Sequence, residues 1–152
     1  MTDVFHEAAA DAPAERTAAL LARCEPLHRQ LRPHLPADYP AWMQKVFADG
    51  AGLCVLESDG RPRALGLWRA YHTTYAGRRF YVDDLVAEES ERGKGWGGKM
   101  LAHLESKARA LDCDVFALDS GVQRNLAHRF YFRAGLTIIG FSFARHLTQR
   151  FR

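Results

Sequence analysis

The 152-residue chain has little cysteine and no strong excess of either charge. Its three cysteines, Cys24, Cys54 and Cys113, are odd in number and widely spaced, which argues against a disulfide framework and against a CxxC metal site. Twenty-one Lys and Arg residues against 18 Asp and Glu residues give a net charge of +3, too small to indicate nucleic-acid binding by itself. We therefore expect buried free thiols, no metal and no nucleic-acid partner.

Long apolar runs, repeats and low-complexity segments are also missing. No stretch approaches the ~20 apolar residues that a membrane helix needs, and the first residues include acidic Asp3, Glu7 and Asp11 where a secretory signal would be basic and then apolar. The composition, 47% hydrophobic and 26% charged, is typical of a globular protein. We expect one domain over residues 1–152, in the cytoplasm and without a membrane partner.

Glycine, in contrast, is concentrated in one stretch between a strand-like and a helix-like run. Four glycines fall within six residues: Gly93, Gly95, Gly97 and Gly98. Three cations accompany them: Arg92, Lys94 and Lys99. Glycine allows positive φ and a close approach of the backbone to a ligand, and the run Met100 to Leu111 has helical spacing, so its N-terminal dipole would favour an anion. The stretch predicts a phosphate or pyrophosphate cradle; a basic surface turn is the plainer alternative.

Periodicity around this loop predicts a mixed α/β (α+β) sheet with helices on both faces. We expect a short first strand at 4–8, helices over 14–25, 27–31 and 40–48, with Pro26 separating the first two, and antiparallel strands over 53–57, 64–71 and 79–86. The loop and its helix lead to a strand at 114–119, parallel to the preceding strand. A helix at 123–134 and a final strand at 136–143 follow. Ligands bind at the carboxyl ends of such strands, where Val86, Asp119 and the loop would converge.

The loop is similar to the acyl-CoA pyrophosphate loop of the GNAT superfamily of N-acyltransferases. Arg92, Gly95 and Gly97 occupy the three fixed places of its Arg/Gln-x-x-Gly-x-Gly/Ala motif. The stretch also spells Gly-x-Gly-x-x-Gly, but the acidic residue and the strand context of a dinucleotide site are lacking.

A second motif resembles the same superfamily. Residues 127–136 match Ala-x-x-x-Tyr-x-x-x-Gly-Phe, with Tyr131 in the tyrosine place and Leu136 in the last. The position seven residues before the tyrosine, often Asn in the family, is Arg124, and Asn125 lies one residue further on, so which of the two replaces the family asparagine stays open. Arg124 either contacts a CoA phosphate or is simply solvated. Alone, Tyr131 would be read as a core aromatic on a helix.

The resemblance covers nearly the whole chain and implies the GNAT fold, with acetyl-CoA as co-substrate and a small-molecule or peptide amine as acceptor. It implies pantetheine binding by backbone groups of Leu85, Val86 and Ala87. It assigns the pyrophosphate to the loop residues Arg92, Gly93, Lys94, Gly95, Trp96, Gly97 and Gly98. Tyr131 would be the general acid that protonates the departing thiolate. The usual seventh strand is short or missing, so a second subunit could cover the open edge and form a homodimer.

Amine attack on a thioester also needs a proton acceptor, and the candidates are Asp83 and Asp84. By strand alternation Asp84 shares a face with Phe80 and Val82, and Asp83 faces the opposite way. A carboxylate against an apolar wall would have the raised pKa that a base needs. Two solvated or loop-capping aspartates are the alternative.

The hairpin before them supplies the candidates for acceptor specificity, since in this family it often borders the acceptor pocket: Trp68, Tyr71, His72 and Tyr75.

Three functions remain open. The first is an N-acetyltransferase acting on a primary amine. The second is a non-catalytic regulatory module that binds acyl-CoA through the same loop. The third is a basic domain that binds nucleic acid through the loop and the Arg-rich final residues, which no basic base-reading helix supports. The presence of Tyr131 and of both aspartates favours the enzyme.

Overall fold

The computed structural model describes residues 2–151. Its elements are, in chain order, β1 (Asp3–Ala8), α1 (Ala14–Leu31), α2 (Tyr39–Ala48), β2 (Gly52–Ser58), β3 (Arg61–His72), β4 (Arg78–Ala87), a 3-10 turn (Glu89–Glu91), α3 (Trp96–Ala110), β5 (Val115–Leu118) and α4 (Asn125–Arg133). The chain separates into two compact units, one ending at Ala117 and the other beginning at Leu118. Over residues 2–151, no helix combines the length and the apolar character that crossing a membrane requires.

The strands form one five-stranded sheet in the order β1-β2-β3-β4-β5. The first three neighbouring pairs are antiparallel, and β4 with β5, joined through α3, is the one parallel pair. This confirms the mixed sheet with a single parallel strand-helix-strand unit.

The main core lies between the sheet and the first two helices. Apolar residues at helical spacing on α1 and α2 meet alternate residues of β2 and β3, and these residues are buried: Leu20, Leu21, Cys24, Leu27, Tyr39, Met43, Phe47, Leu53, Val55, Leu65 and Leu67. The thiols of Cys24 and Cys54 are free and buried, and burial raises their pKa values to about 11 and about 12. Cys113 is free and half-buried.

Helix α3 packs on the opposite face of the sheet, over β3. Its Met100 and Leu104 are fully buried, and Gly66 of β3 leaves room for them. A Cβ atom on Gly66 would lie 2.7 Å from Leu104 Cδ1 and 3.2 Å from Met100 Sδ. Glycine is therefore required here by the closeness of the helix to the strand.

Strand β4 carries a β-bulge at Asp83. Leu67 of β3 pairs with Asp84, but the next residue, Trp68, pairs with Val82, so Asp83 is an extra residue. Phe80 stacks on Trp68 at 4.9 Å on the α3 face, whereas Asp84 contacts α1 on the other face. The expectation that Asp84 shares a face with Phe80 and Val82 was therefore wrong, because the bulge reverses the alternation between them.

Helix α1 does not end at Pro26, contrary to the sequence prediction. It runs unbroken for 18 residues, with Pro26 inside it. Proline removes one helical hydrogen bond, but Leu27 and His28 just beyond it are both buried. Packing of the turn after Pro26 keeps the helix continuous.

The predicted final strand at 136–143 is also wrong as far as residues 2–151 show, since no strand is formed there. A strand exists only when its backbone N–H and C=O groups pair with a neighbouring strand, and the sheet contains no strand after β5.

Replacing Gly66 by Ala should destabilise the protein by about 1–3 kcal/mol, because the added methyl group overpacks the contact with Leu104. Gly98→Ala on α3 is the matched control. A Cβ atom there meets nothing within 4 Å, and helix propensity favours Ala by up to about 1 kcal/mol. Urea unfolding measures both. Equal stability of the two variants would contradict the close contact.

Candidate active site

The glycine-rich loop forms an open backbone turn that leads directly into α3. Gly93 and Gly95 have positive φ values of 82° and 85°, and Gly95 is the N-cap residue that immediately precedes α3. The helix starts at Trp96, four residues earlier than the apolar spacing predicted, so Gly97 and Gly98 lie in its first turn.

No side chain caps the N-terminus of α3. The first amides of a helix have no acceptor within it, and a Cβ atom at Gly93, Gly95 or Gly98 would meet nothing within 4 Å. Unsatisfied donors at the positive end of a helix dipole, beside open space, form an anion site, and the residues present fit a pyrophosphate group.

The cations of the loop are all paired with carboxylates. Arg92 lies 3.5 Å from Glu89, Lys94 lies 2.5 Å from Glu91, and Lys99 lies 2.6 Å from Asp3. The three basic side chains are more than half exposed, so these pairs are weak. Each cation therefore has an acidic neighbour that offsets its charge, whereas no side chain caps the amides at the start of α3.

Trp96 holds the start of α3 against the protein. Its ring is buried, and the Arg63 guanidinium and the Lys99 ammonium lie over it, 5.8 and 4.9 Å from its centre. A ligand at the loop can therefore use the backbone amide of Trp96, while the indole anchors the helix.

Residues 85–87 of β4 pair with β3 on one side, but on the other side their backbone N–H and C=O groups do not pair with β5. On one side Leu85, Val86 and Ala87 pair with β3. On the other side the amide of Asp114, which precedes β5, bonds to the carbonyl of Arg78 at the start of β4. Because β5 has only four residues, it does not extend in parallel as far as Leu85.

Asp84 lies in a buried ionic network that the sequence analysis did not anticipate. Its carboxylate accepts hydrogen bonds from His28 Nε2 at 2.7 Å and from Arg32 Nε at 2.7 Å. His28 is 1% exposed, and its Nδ1 lies 2.8 Å from the Tyr39 hydroxyl. The one sign of this network in the sequence is His28 itself, a polar residue in line with the apolar stripe of α1.

Burial raises the pKa of Asp84, but the hydrogen bond from His28 and the charge of Arg32 outweigh it and leave that pKa below its usual value. A carboxylate with a lowered pKa is a weak base. The expected apolar wall with a raised pKa is not what surrounds this side chain.

Asp83 is also engaged by arginine. Its carboxylate accepts a hydrogen bond from Arg69 at 2.6 Å, and its carbonyl accepts one from Arg32 at 3.0 Å. Arg32 thus contacts both residues, and the two aspartates fix the bulge of β4 against α1 and β3.

The hairpin residues separate into two groups. Trp68 is half-buried on the α3 side, where its ring stacks on Phe80 and contacts the Lys107 ammonium. Tyr71 and Tyr75 are exposed, and their hydroxyls accept hydrogen bonds from Arg79 at 3.2 and 3.0 Å. His72 ends β3 and is exposed. Tyr71, His72 and Tyr75 stay candidates for acceptor contacts.

Tyr131 belongs to the second unit, on α4. Burial raises the pKa of its phenol, and the charge of Arg124 lowers it by less. Arg124 is the residue at the start of α4, and its amide bonds to the carbonyl of Gly121. His128 Nε2 lies 2.8 Å from the same carbonyl, so His128 helps to fix the start of the helix.

The sequence model of the Acetyltransferase (GNAT) family matches residues 14–136. An uncharacterized N-acetyltransferase of Bacillus subtilis, YhdJ, is 30% identical over 129 residues, which cover 82% of this chain and 89% of the relative. The aminoalkylphosphonate N-acetyltransferase of Salmonella typhimurium is 30% identical over 83 residues, which cover 55% of this chain and 54% of that protein.

Solved structures with the same fold span nearly the whole chain. An aminoglycoside N-acetyltransferase in complex with CoA superposes with a TM-score of 0.78 at 14% identity, covering 97% of this chain and 96% of that one. Glucosamine-6-phosphate N-acetyltransferase from Arabidopsis thaliana gives a TM-score of 0.70 at 18% identity, covering 97% and 100%. At these identities the likeness establishes the fold.

Replacing Asp84 by Asn should lower the free energy of unfolding at pH 7 by about 2–3 kcal/mol, because His28 and Arg32 lose their charged partner. The pKa of Asp84 is lowered in the folded state, so this stabilisation is present above the ordinary value of 3.8 and is lost as the pH falls through the lower folded value.

Urea unfolding from pH 7 to pH 3 measures the effect, with exposed Asp112→Asn as the control. The difference in the free energy of unfolding between the wild type and Asp84→Asn should become smaller only at the acid end of this pH range. A gap that is the same at every pH would contradict the ionic origin.

Proposed function

Because the chain belongs to the GNAT family and is an acyl-CoA-dependent acetyltransferase, we propose that it transfers an acetyl group from acetyl-CoA to the primary amine of a small molecule. The observation that carries the proposal is the uncapped N-terminus of α3 behind a glycine turn, which suits the pyrophosphate of CoA.

The loop holds the co-substrate through its backbone. The amides of residues 93–98 donate to the pyrophosphate oxygens, and Arg92, Lys94 and Arg124 add positive charge. The ion pairs of Arg92 and Lys94 are exposed and therefore weak, so a phosphate can displace their carboxylate partners at little cost.

Strand β4 positions the acyl arm. The backbone groups of Leu85, Val86 and Ala87 that β5 does not reach bond the amides of the pantetheine chain. The bulge at Asp83 sets the direction of this segment, and Asp84 keeps the bulge against α1. In this proposal Asp83 and Asp84 are positioning residues.

Tyr131 is the general acid. Acetyl-CoA supplies the thioester carbonyl that a neutral amine attacks, and the departing sulfur needs a proton. Because burial raises the pKa of Tyr131, its phenol stays protonated at neutral pH and can act only as a donor. The attacking amine passes its own proton to solvent, since both aspartates are already paired with arginine.

The acceptor is a small-molecule amine. The Salmonella relative is an aminoalkylphosphonate N-acetyltransferase, and one structural neighbour is an aminoglycoside N-acetyltransferase. Tyr71, Tyr75 and Arg79 form an exposed polar-aromatic cluster that can recognise such a molecule. We also propose that the protein acts in the cytoplasm, where acetyl-CoA is present.

Gly98→Asp tests the anion site without straining the backbone. The position has ordinary helical φ and open space, and an acidic residue in the first turn favours the helix, so the fold is kept. Its negative charge opposes the pyrophosphate, and we expect the affinity for acetyl-CoA to fall at least tenfold by calorimetry.

Gly98→Asn is the matched control, with the same size and no charge. It should retain most of the affinity that Gly98→Asp loses. Equal affinities of the two variants, both close to that of the wild type, would remove the anion site from the loop.

Tyr131→Phe should reduce kcat by about a hundredfold or more, in the range of general acid catalysis, and leave the dissociation constant of acetyl-CoA unchanged. Thiol release measures turnover, calorimetry measures binding, and thermal unfolding verifies the fold. Unchanged turnover would return Tyr131 to a packing role, and a weakened affinity would place it in binding.

A further inference from the structure

Helix α3 meets the edge strand β1 in a regular series of side-chain contacts. Alternate residues of the strand lie on one face, and every fourth residue of the helix lies on one face, so the two rows match. The pairs are Asp3 with Lys99, Phe5 with His103, and Glu7 with Lys107. The two outer pairs join opposite charges at 2.6 and 2.8 Å, whereas the middle pair stacks an imidazole on an apolar ring at 3.9 Å.

The imidazole of this middle pair has a buried nitrogen that is not hydrogen-bonded. Among residues 2–151, none forms a hydrogen bond with His103 Nε2. Glu7 Oε1 lies 3.6 Å from it, which is too far for a hydrogen bond. A buried nitrogen in this state is destabilising unless an ion or another group binds it.

Two further potential metal ligands lie beside this histidine. Cys54 of β2 is directly opposite Glu7 of β1 in the antiparallel register, so both side chains lie on the same face of the sheet. The Cys54 sulfur, a Glu7 carboxylate oxygen and a ring nitrogen of His103 all lie within 4.8 Å of one another. Cys54 is fully buried, and its thiol is free.

We propose that Glu7, Cys54 and His103 bind a zinc-type divalent transition-metal ion, with a water molecule as the fourth ligand. Thiolate, imidazole and carboxylate are the ligands that Zn²⁺ takes in proteins, and the thiolate excludes Mg²⁺ and Ca²⁺, which prefer oxygen. The Cys54 thiol releases its proton to solvent as the metal–sulfur bond forms. The thiolate and the Glu7 carboxylate then balance the two positive charges of the ion.

Small side-chain rotations are enough to close the site. Ligand atoms around a tetrahedral Zn²⁺ are about 3.3–3.6 Å apart, as estimated from bond lengths of about 2.0–2.3 Å. The side chain of Glu7 is 45% exposed, so it can turn towards the ion. Its carboxylate has two oxygens, and one can bind the ion while the other keeps the ion pair with Lys107.

Spacing along the chain does not indicate this site, because its three ligands come from β1, β2 and α3. The expectation of no metal depended on the missing CxxC motif, which reports only ligands that are close in sequence. An ion here would join the edge strand to α3, about 10 Å along the helix from Trp96 at 1.5 Å per residue. The inference does not rest on the proposed acetyl transfer.

The first experiment is a titration of the full chain, without an affinity tag, with Co²⁺ and then with Zn²⁺. Tetrahedral Co²⁺ absorbs visible light, and a cobalt–thiolate bond adds a charge-transfer band in the near ultraviolet. We expect one Co²⁺ per chain with both features, and we expect Zn²⁺ to displace it and remove them. Binding of Co²⁺ without the charge-transfer band would overturn the proposal.

Two variants each remove one ligand. Cys54→Ser removes the sulfur, and His103→Phe removes the nitrogen but keeps a ring to stack on Phe5. Each should raise the dissociation constant of Zn²⁺ at least about a hundredfold, since the loss of a mere outer partner of a ligand already costs about 10–100-fold. Cys113→Ser and His34→Phe are the matched controls, because these residues lie outside the cluster, and both should bind as the wild type does.

Thermal unfolding separates metal binding from folding. Zn²⁺ should raise the melting temperature of the wild type, because the ion binds the folded chain. Without metal, His103→Phe should be about as stable as the wild type, since it also removes the unpaired buried nitrogen, but Zn²⁺ should not stabilise it. This variant keeps the test decisive if Cys54→Ser does not fold. Absence of Zn²⁺ binding to the wild type at millimolar concentration would overturn the proposal, as would an unchanged affinity in His103→Phe.

Discussion

The β-bulge at Asp83 determines how β4 faces the helices, and the buried ionic contacts of Asp84 with His28 and Arg32 stabilise that bulge. Asp84 faces α1 because Asp83 is an extra residue in β4, and the bulge survives because His28 and Arg32 bind the Asp84 carboxylate from the helix. Without the extra residue Asp84 would point to the α3 face, where Phe80 stacks between Trp68 and Phe116. One buried charge thus sets which residues of β4 meet which helix. The backbone of Leu85 to Ala87, where we place the acyl arm, follows directly from that bulge.

The contacts that we propose between the loop and the pyrophosphate are of a different kind. Its cations are paired with acids, and the pairs are exposed and weak, whereas the amides at the start of α3 have no other acceptor within the helix. An unsatisfied amide gains a whole hydrogen bond from a phosphate oxygen, but a lysine already paired with glutamate exchanges one carboxylate for another anion. In the proposed function the backbone therefore supplies most of the selectivity for an anion, and the side chains adjust the strength of binding.

Local chemistry could be predicted from the sequence, and long-range pairing could not. The glycine turn, the meander of β2 to β4 and the parallel unit follow from residues close in the chain, so periodicity and turn residues sufficed. The contact of His28 with Asp84 joins residues 56 positions apart, and no residue close to Asp84 in the sequence indicates it. Pro26 led to the prediction of a helix end that the structure does not have, because the burial of Leu27 and His28 outweighs one lost hydrogen bond. Residues 136–143 have the alternation of a strand but form none in the described structure, because alternation alone does not decide whether a segment pairs with a neighbour.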